Sequence, residues 1–333
     1  MNRRLSIIIA ICMLITLGSG CSNMPGSSNE PLTPGSSDTP NRQGSSNQSP
    51  ELTPTVMRDF PPTALHLPVE STVRELGIDS GVDFGNASRG YILAWYSGTT
   101  RAKVQVIKLD GDEAGRAWVY DVDYPDINEV LPLQGGSGQY KVYVAEHIED
   151  DMYSPILTLE FDVVIEDHLL PFLYATKFSM FTSDSLALRR AHGLTDGARS
   201  DIEALIRIYE FIVDNFDYDV HKAETIVHFY TPDPDDTLER GMGICFDFAS
   251  LFSAMLRANN IPAQLVIGEV SDGLAHAWNN VYLENSGWID IHIHLRADIW
   301  ELLDTTFAAA GQDSESLANM IGDGKSHVPL SVY

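Results

Sequence analysis

A cysteine in the C-terminal half of the chain lies in a setting that suits a nucleophile. Cys245 follows the run Gly241-Met242-Gly243-Ile244 and precedes apolar residues at helical spacing, namely Phe248, Leu251, Phe252, Met255 and Leu256. This pattern predicts Cys245 in the first turn of an apolar helix, where unsatisfied backbone N–H groups and the helix dipole favour negative charge. We expect this position to lower the thiol pKa and to offer an N–H donor to an oxyanion.

A histidine and an aspartate follow the cysteine in segments that read as strands. His276 opens the run 276–283, and Asp304 ends the run 300–304. Neighbouring strands can place an imidazole beside a thiol while a carboxylate fixes the tautomer of the imidazole. The order of residue types therefore predicts Cys245 as nucleophile, His276 as base and Asp304 as the residue that orients the base.

Several motifs together resemble the bacterial transglutaminase-like superfamily, over about residues 169–310. They are Gly243-x-Cys245-x-Asp247-x-Ala249, the run 256–263 (LRANNIPA), His276-Ala277-Trp278-Asn279, Trp300-x-x-x-Asp304-x-Thr306 and Tyr218-Asp219. The resemblance implies a papain-like fold and a Cys-His-Asp triad that forms a thioester with an amide substrate. We expect neither a cofactor nor a metal.

The third member of the triad has a second candidate. Asp290 lies in Trp288-Ile289-Asp290, inside a run that predicts a strand or hairpin between His276 and Asp304. Asp304 is favoured because it has the tryptophan of the family motif four residues before it and Thr306 after it.

Other polar residues near the proposed triad have simpler interpretations. Asp247 follows the cysteine by two positions on a helix, so it should point away and serve as a cap or an ion-pair partner. His292-x-His294 could form a metal pair on a strand, but no cysteine or carboxylate cluster completes it. The spacing of Asp233, Asp235 and Asp236 does not fit a calcium-binding loop. We therefore expect these three carboxylates only to keep a surface loop in contact with water.

The segments around these residues have helix, loop and strand signals. Ser200 and Glu203 form a capping box before a helix whose apolar face comprises Ile202, Leu205, Ile206, Tyr209, Ile212, Val213 and Phe216. A polar, proline-containing loop is predicted over 221–236, and a strand over 264–267 that Gly268 should stop. Residues 169–333 are therefore predicted as a mixed catalytic domain.

Residues 63–166 carry short β-rich runs separated by turn signals. The predicted strands are 90–96, 103–109, 117–122, 139–145 and 157–165, and apolar residues largely alternate in the second and the last. This spacing predicts an immunoglobulin-like β-sandwich, and the region resembles the accessory domain of some secreted family members. The predicted fold class is α+β, with a papain- or transglutaminase-like catalytic domain after a β-sandwich.

The N-terminus reads as an export signal. Arg3 and Arg4 precede an apolar run over 5–17 that is too short to span a bilayer, and small residues then lead into Cys21. Residues 1–20 resemble a lipoprotein signal peptide, with Cys21 as the acylated residue. The other interpretation is a simple cleaved signal with an incidental cysteine. Residues 21–55 are rich in Ser, Pro and Gly and read as a disordered tether.

Composition narrows the range of partners. The formal net charge of -26, from 47 acidic and 21 basic residues, excludes a nucleic-acid partner. Cys12 lies in the proposed signal and Cys21 at the proposed lipid anchor, so the mature protein would hold one ordinary thiol and no disulfide.

These features favour an extracytoplasmic cysteine peptidase or amidase that is lipid-anchored to the membrane. Its substrate would be a peptide or protein, including cell-wall peptides, and water would resolve the thioester. In one alternative an amine resolves the thioester, as in protein cross-linking; Phe246 argues against it, because cross-linking relatives usually carry tryptophan directly after the nucleophile. In another, the chain is a tethered binding module without catalysis.

Overall fold

The computed structural model describes residues 57–122, 127–226, 230–270, 275–293 and 327–333 of a mixed α/β protein. Cys21, His294 and Asp304 lie outside these residues. The strands are β1 (Arg74–Leu76), β2 (Ser80–Asp83), β3 (Tyr91–Tyr96), β4 (Ala102–Lys108), β5 (Ala117–Val122), β6 (Glu129–Pro132), β7 (Gly138–Glu149), β8 (Met152–Val163), β9 (Asp217–Tyr218), β10 (Met242–Gly243), β11 (Ala263–Val270), β12 (Ala275–Leu283), β13 (Gly287–Ile291) and β14 (His327–Val332). The helices are α1 (Leu186–Thr195), α2 (Asp201–Asn215), α3 (Val220–Thr225), α4 (Pro234–Arg240) and α5 (Cys245–Ala258).

The first eight strands form two antiparallel four-stranded sheets, in the orders β1-β2-β3-β6 and β5-β4-β7-β8. Alternate residues of β4 are buried, as the sequence pattern predicts for a strand with one face on a core. Side chains from both sheets share one hydrophobic cluster, which includes Ile92, Leu131, Val106 and Val142. The five strands predicted from sequence are confirmed as β3, β4, β5, β7 and β8, whereas β1, β2 and β6 were not predicted.

Helix α5 is the centre of the second half of the chain. Every residue of α5 after Cys245 is buried, and the helix packs against α1, α2 and α4 on one side and against β11 and β12 on the other. The predicted capping box of α2 is partly confirmed, since the Glu203 N–H donates to Ser200 Oγ at 3.1 Å. Because helices cover α5 from one side and a sheet from the other, its first residue is held in a fixed place.

The sheet beside α5 has the order β13-β12-β11-β14, with all neighbours antiparallel. The prediction that Gly268 stops a strand is wrong: β11 continues to Val270, and the pairing with β14 shifts register between Ile267 and Gly268. A glycine accommodates such an irregularity without ending the strand.

The prediction of a loop over 221–236 is also wrong in part. Helix α3 occupies its beginning, and α4 starts at Pro234 with Asp233 as its N-cap. The Asp235 carboxylate accepts the N–H groups of Leu186 and Ala187 at 3.0 and 2.8 Å. Asp233 and Asp235 therefore cap two helices instead of only solvating a loop, which suits carboxylates at helix N-termini.

Arg257 ties α5 to the rest of the fold from a fully buried position. Its guanidinium donates to the carbonyl of Ala263 at 2.9 and 2.7 Å, to the carbonyl of Tyr174 at 3.0 Å and to Thr176 Oγ1 at 2.6 Å. Burial lowers the pKa of Arg257 to about 9. In the part of the chain that the structure describes, no helix is long and apolar enough to cross a membrane.

Candidate active site

Cys245 begins α5, as the sequence predicted, and Ile244 before it has the extended backbone of an N-cap residue. The thiol is partly exposed and is not part of a disulfide. Backbone N–H groups of Ala277, Phe246 and Cys245 itself approach the sulfur, and each lowers the pKa of the thiol. The nucleophile therefore lies among several backbone donors that also suit a developing oxyanion.

The predicted lowering of the Cys245 pKa is wrong in its net direction. Desolvation by the surrounding protein raises the pKa of the thiol, and this effect outweighs the backbone N–H groups at the helix start. The helix terminus acts in the predicted sense but is not sufficient. A thiol in this environment needs a base to become a thiolate at neutral pH.

The turn that presents Cys245 is fixed by Asp247. Its carboxylate accepts the Ile244 N–H at 2.9 Å and lies 2.8 Å from the ammonium of Lys222. Asp247 is 1% exposed, and burial raises its pKa while Lys222 and the Ile244 N–H oppose that rise. A Cβ on Gly243 would come within 2.8 Å of Asp247 Cβ, so the close approach requires glycine. The prediction that Asp247 is a cap and ion-pair partner is confirmed.

A short parallel pair, β9 with β10, brings Tyr218 next to the nucleophile. The Asp219 N–H donates to the Gly243 carbonyl at 2.8 Å, which aligns the two segments. Burial raises the pKa of Tyr218 to about 12, and the negative charges of Cys245 and Asp247 add to that rise. Tyr218 is therefore close enough to Cys245 to interact with it electrostatically, whereas the sequence analysis included Tyr218 only as part of a family motif.

His276 lies near the start of β12, in register with Gly268 of β11. The backbone N–H of the next residue, Ala277, lowers the pKa of the Cys245 thiol, so the strand that carries the predicted base begins beside the helix that carries the predicted nucleophile. Asn279 is buried and donates to the Ala249 carbonyl of α5 at 2.9 Å. Strand and helix are therefore joined by hydrogen bonds as well as by packing.

Asp290 lies in β13, directly opposite Asn280 of β12, which confirms the predicted hairpin. Asn280 is four residues beyond His276, so the backbone of Asp290 lies about 13 Å along the strand direction from that of His276. This separation argues against Asp290 as the orienting residue. The choice of Asp304 stays a prediction, because Asp304 lies outside the described residues.

A protein-family model matches the part of the chain that contains Cys245 and His276. Residues 189–293 match the model of the Transglutaminase-like superfamily. The chain carries a transglutaminase-like core domain. This match contains Cys245 and His276, and it ends before Asp304.

Solved structures similar to the chain include proteins from several bacteria. A candidate cysteine protease from Cytophaga hutchinsonii is 12% identical and has a TM-score of 0.38, over 78% of this chain and 83% of that one. Legionella pneumophila LapG is 14% identical with a TM-score of 0.29, over 45% and 84%. The periplasmic domain of Pseudomonas aeruginosa TgpA is 15% identical with a TM-score of 0.28, over 59% and 90%. No curated protein matched the sequence.

The transglutaminase-like core shares its hydrophobic packing with the β-sheets before it. Phe246, next to the nucleophile, lies 5.5 Å from Phe178 between ring centroids, and Phe178 lies 5.8 Å from Tyr120 of β5. Tyr333 contacts both Phe178 and Tyr120, at 4.9 and 5.3 Å. The sheets of residues 74–163 therefore support the turn that presents Cys245.

Sequence reasoning missed His292 as a member of this environment. The sequence analysis considered His292 only as a strand residue that could bind a metal. In the structure its side chain is 1% exposed and lies beside His276 and Trp278. Among the residues that the structure describes, no three histidine, cysteine or acidic side chains gather as a metal site. One sequence signal could have pointed to His292. It follows Trp288 by four residues, which is the spacing between Trp300 and Asp304 in the family motif.

Proposed function

We propose that the transglutaminase-like core is a cysteine acyl-transfer enzyme that hydrolyses a peptide or amide bond. The observation that carries this proposal is the position of Cys245, at the start of a buried helix and against the strand that begins with Ala275 and His276. A thiol whose pKa is raised by burial, and which nonetheless lies among backbone N–H donors, suits a nucleophile that an adjacent base activates during reaction.

In the proposed mechanism His276 takes the thiol proton and the sulfur of Cys245 attacks the carbonyl carbon. Backbone N–H groups at the helix start stabilise the oxyanion. When the carbon–nitrogen bond breaks, His276 gives its proton to the leaving amine, and the acyl group stays on sulfur as a thioester. Water, deprotonated by His276, then attacks the thioester. The carbon–sulfur bond breaks, the acid leaves, and His276 returns the proton to the sulfur of Cys245. Asp304 would hold His276 in the tautomer that these transfers need.

The test is to trap the acyl-enzyme. The protein is incubated with synthetic peptides and a cell-wall digest, quenched in acid and measured by intact-mass and peptide mass spectrometry, with and without a primary amine. We expect an acyl adduct on Cys245 and release of the free acid, with Cys245→Ala as the control. Amine conjugates in excess of the acid would favour cross-linking, and no adduct with any substrate would favour a binding module.

The proposal places this enzyme outside the cytoplasm, held to the membrane through a lipid on Cys21. The support is the sequence alone: a basic start, a short apolar run and a Ser/Pro/Gly-rich segment over 22–55. We expect Cys21→Ala to move the protein from the membrane fraction to the medium, or to leave an unprocessed precursor, with the folded part intact. Unchanged fractionation with cleavage at another position would contradict the anchor.

We further propose that residues 63–166 form an immunoglobulin-like β-sandwich that serves as a spacer and support. The supporting observation is that the chain passes back and forth between the two sheets, so that β6 lies beside β3 in one sheet and β7 lies beside β4 in the other. Contact of Tyr120 with the aromatic side chains around Phe246 further supports a domain that steadies the nucleophile turn.

A further inference from the structure

His292 directly follows the edge strand β13 and faces the same side of the sheet as His276. The last pair of the hairpin joins Ile291 to Asn279, and both Ile291 and Ile293 belong to the hydrophobic cluster around α5. Because side chains alternate along an extended chain, His292 points to the opposite side, where His276 and Trp278 also lie. Its side chain is 1% exposed although the strand before it is at the sheet edge.

The three rings on this side are nearly parallel. The imidazoles of His276 and His292 have centroids 5.8 Å apart and planes within 5°. The Trp278 indole lies 5.4 Å from the His292 ring at 22°, and 6.2 Å from the His276 ring at 19°. A histidine ring otherwise turns over a broad range about its second side-chain torsion. Two flat neighbours at these distances restrict that rotation for His276.

We propose that His292 is a positioning residue that holds the His276 imidazole in the plane from which it serves Cys245. The inference rests on the proposed function, in which His276 is the base. Such a base must keep its nitrogen directed at the thiol, and a displacement of about 1 Å can cost roughly 10²-fold in rate. His276 is itself partly exposed, so packing from only one side would leave the ring able to turn toward solvent.

The experiment uses iodoacetamide as a substrate-free probe of Cys245 on the full chain. The second-order alkylation rate is measured from acidic to alkaline pH for the wild type, His292→Ala and His292→Phe. The matched control is Ile293→Ala, the next buried residue, which packs on the other side of the chain. Thermal unfolding of each variant separates loss of stability from loss of reactivity.

We expect His292→Ala to slow alkylation near neutral pH by roughly ten- to a hundredfold, and His292→Phe to restore most of the rate because a flat ring is kept. At alkaline pH, where the thiolate forms without a base, all variants should react alike. Ile293→Ala should lose stability but keep the wild-type pH profile.

A wild-type pH profile in His292→Ala would overturn the proposal, and so would a His292→Phe variant as slow as His292→Ala. If the wild-type thiol itself reacts no faster at neutral pH than expected for a desolvated thiol without a base, the proposed function fails and this inference fails with it. That outcome is distinguishable, because it appears before any variant of His292 is compared.

Discussion

Replacing Lys222 with methionine should destabilise the fold and disturb the turn that presents Cys245. The Lys222 ammonium lies 2.8 Å from the carboxylate of Asp247, which is 1% exposed and also accepts the Ile244 N–H. Without Lys222 the carboxylate would be left in a poorly solvated place. The side chains of lysine and methionine are similar in length, so the change removes the charge with little change in volume.

The expected loss of stability at neutral pH is about 3 kcal/mol, the lower end of the roughly 3–5 kcal/mol for breaking a buried pair. The lower end applies because Lys222 is 19% exposed. In a folded unit of this size the loss corresponds to a fall in melting temperature of about 6–12 °C.

The pH dependence has a definite sign. Burial raises the pKa of Asp247 above that of an unfolded chain, even with Lys222 present. A carboxyl with the higher pKa in the folded state binds a proton more tightly there, so its contribution to stability is lost as pH rises through the folded pKa. Removing Lys222 raises that pKa further, and the deficit of the variant should shrink as pH falls from neutral into the mildly acidic range.

Urea unfolding at several pH values measures this effect for Lys222→Met, Asp247→Asn and the double variant. The double variant should be more stable than Lys222→Met at neutral pH, because a buried amide carries no charge. Lys141→Met is the matched control, since its pair with Glu160 is also 2.8 Å long but its carboxylate is 49% exposed instead of 1%, and it should cost at most about 1 kcal/mol. A loss for Lys222→Met as small as that of the control, or one that grows on acidification, would refute the reasoning.

Three further outcomes are expected. Asp304→Asn should keep the fold by circular dichroism yet lower turnover by orders of magnitude, and Asp290→Asn should do far less; equal losses would leave the orienting residue unassigned. Arg257→Met should lower stability by several kcal/mol, since each buried carbonyl left without a donor costs roughly 1–3 kcal/mol, and unfolding within experimental error of the wild type would contradict this. Cys245→Ala should abolish acyl transfer at little cost in melting temperature, and residual turnover in a destabilised variant would favour a packing role for the thiol.

Local patterns predicted the elements whose partners lie nearby in sequence. Strand β4 alternates clearly, and α5 has an apolar run that fits only a buried helix. Strand β2 was missed because Ser80-Gly81-Val82-Asp83 reads as a turn; it is a strand because Gly81 leaves room for the ring of Trp95 on the neighbouring strand. Helix α1 was missed because its cap, Asp235, comes from 49 residues away.

The difference between contacts that are near and distant in sequence also explains which features of the candidate site were predicted. The apolar spacing after Cys245 and the strand-like run that starts at His276 were sufficient to predict the helix and the strand that carry these two residues. The net rise of the Cys245 pKa was not predictable, because desolvation depends on distant residues such as Tyr218 and Ala277 that join Cys245 in one cluster only in the folded chain. His292 was missed for a similar reason, since its ring partner lies sixteen residues earlier on another strand.

The central claim is that His276 activates Cys245. The most direct measurement is the alkylation rate of Cys245 by iodoacetamide against pH in the wild type and in His276→Ala. Because desolvation raises the pKa of the thiol, reactivity at neutral pH must come from a base. We expect the wild type to react well below the pH at which a free thiol ionises, and His276→Ala to react only above it. Superimposable profiles for the two proteins would contradict the account.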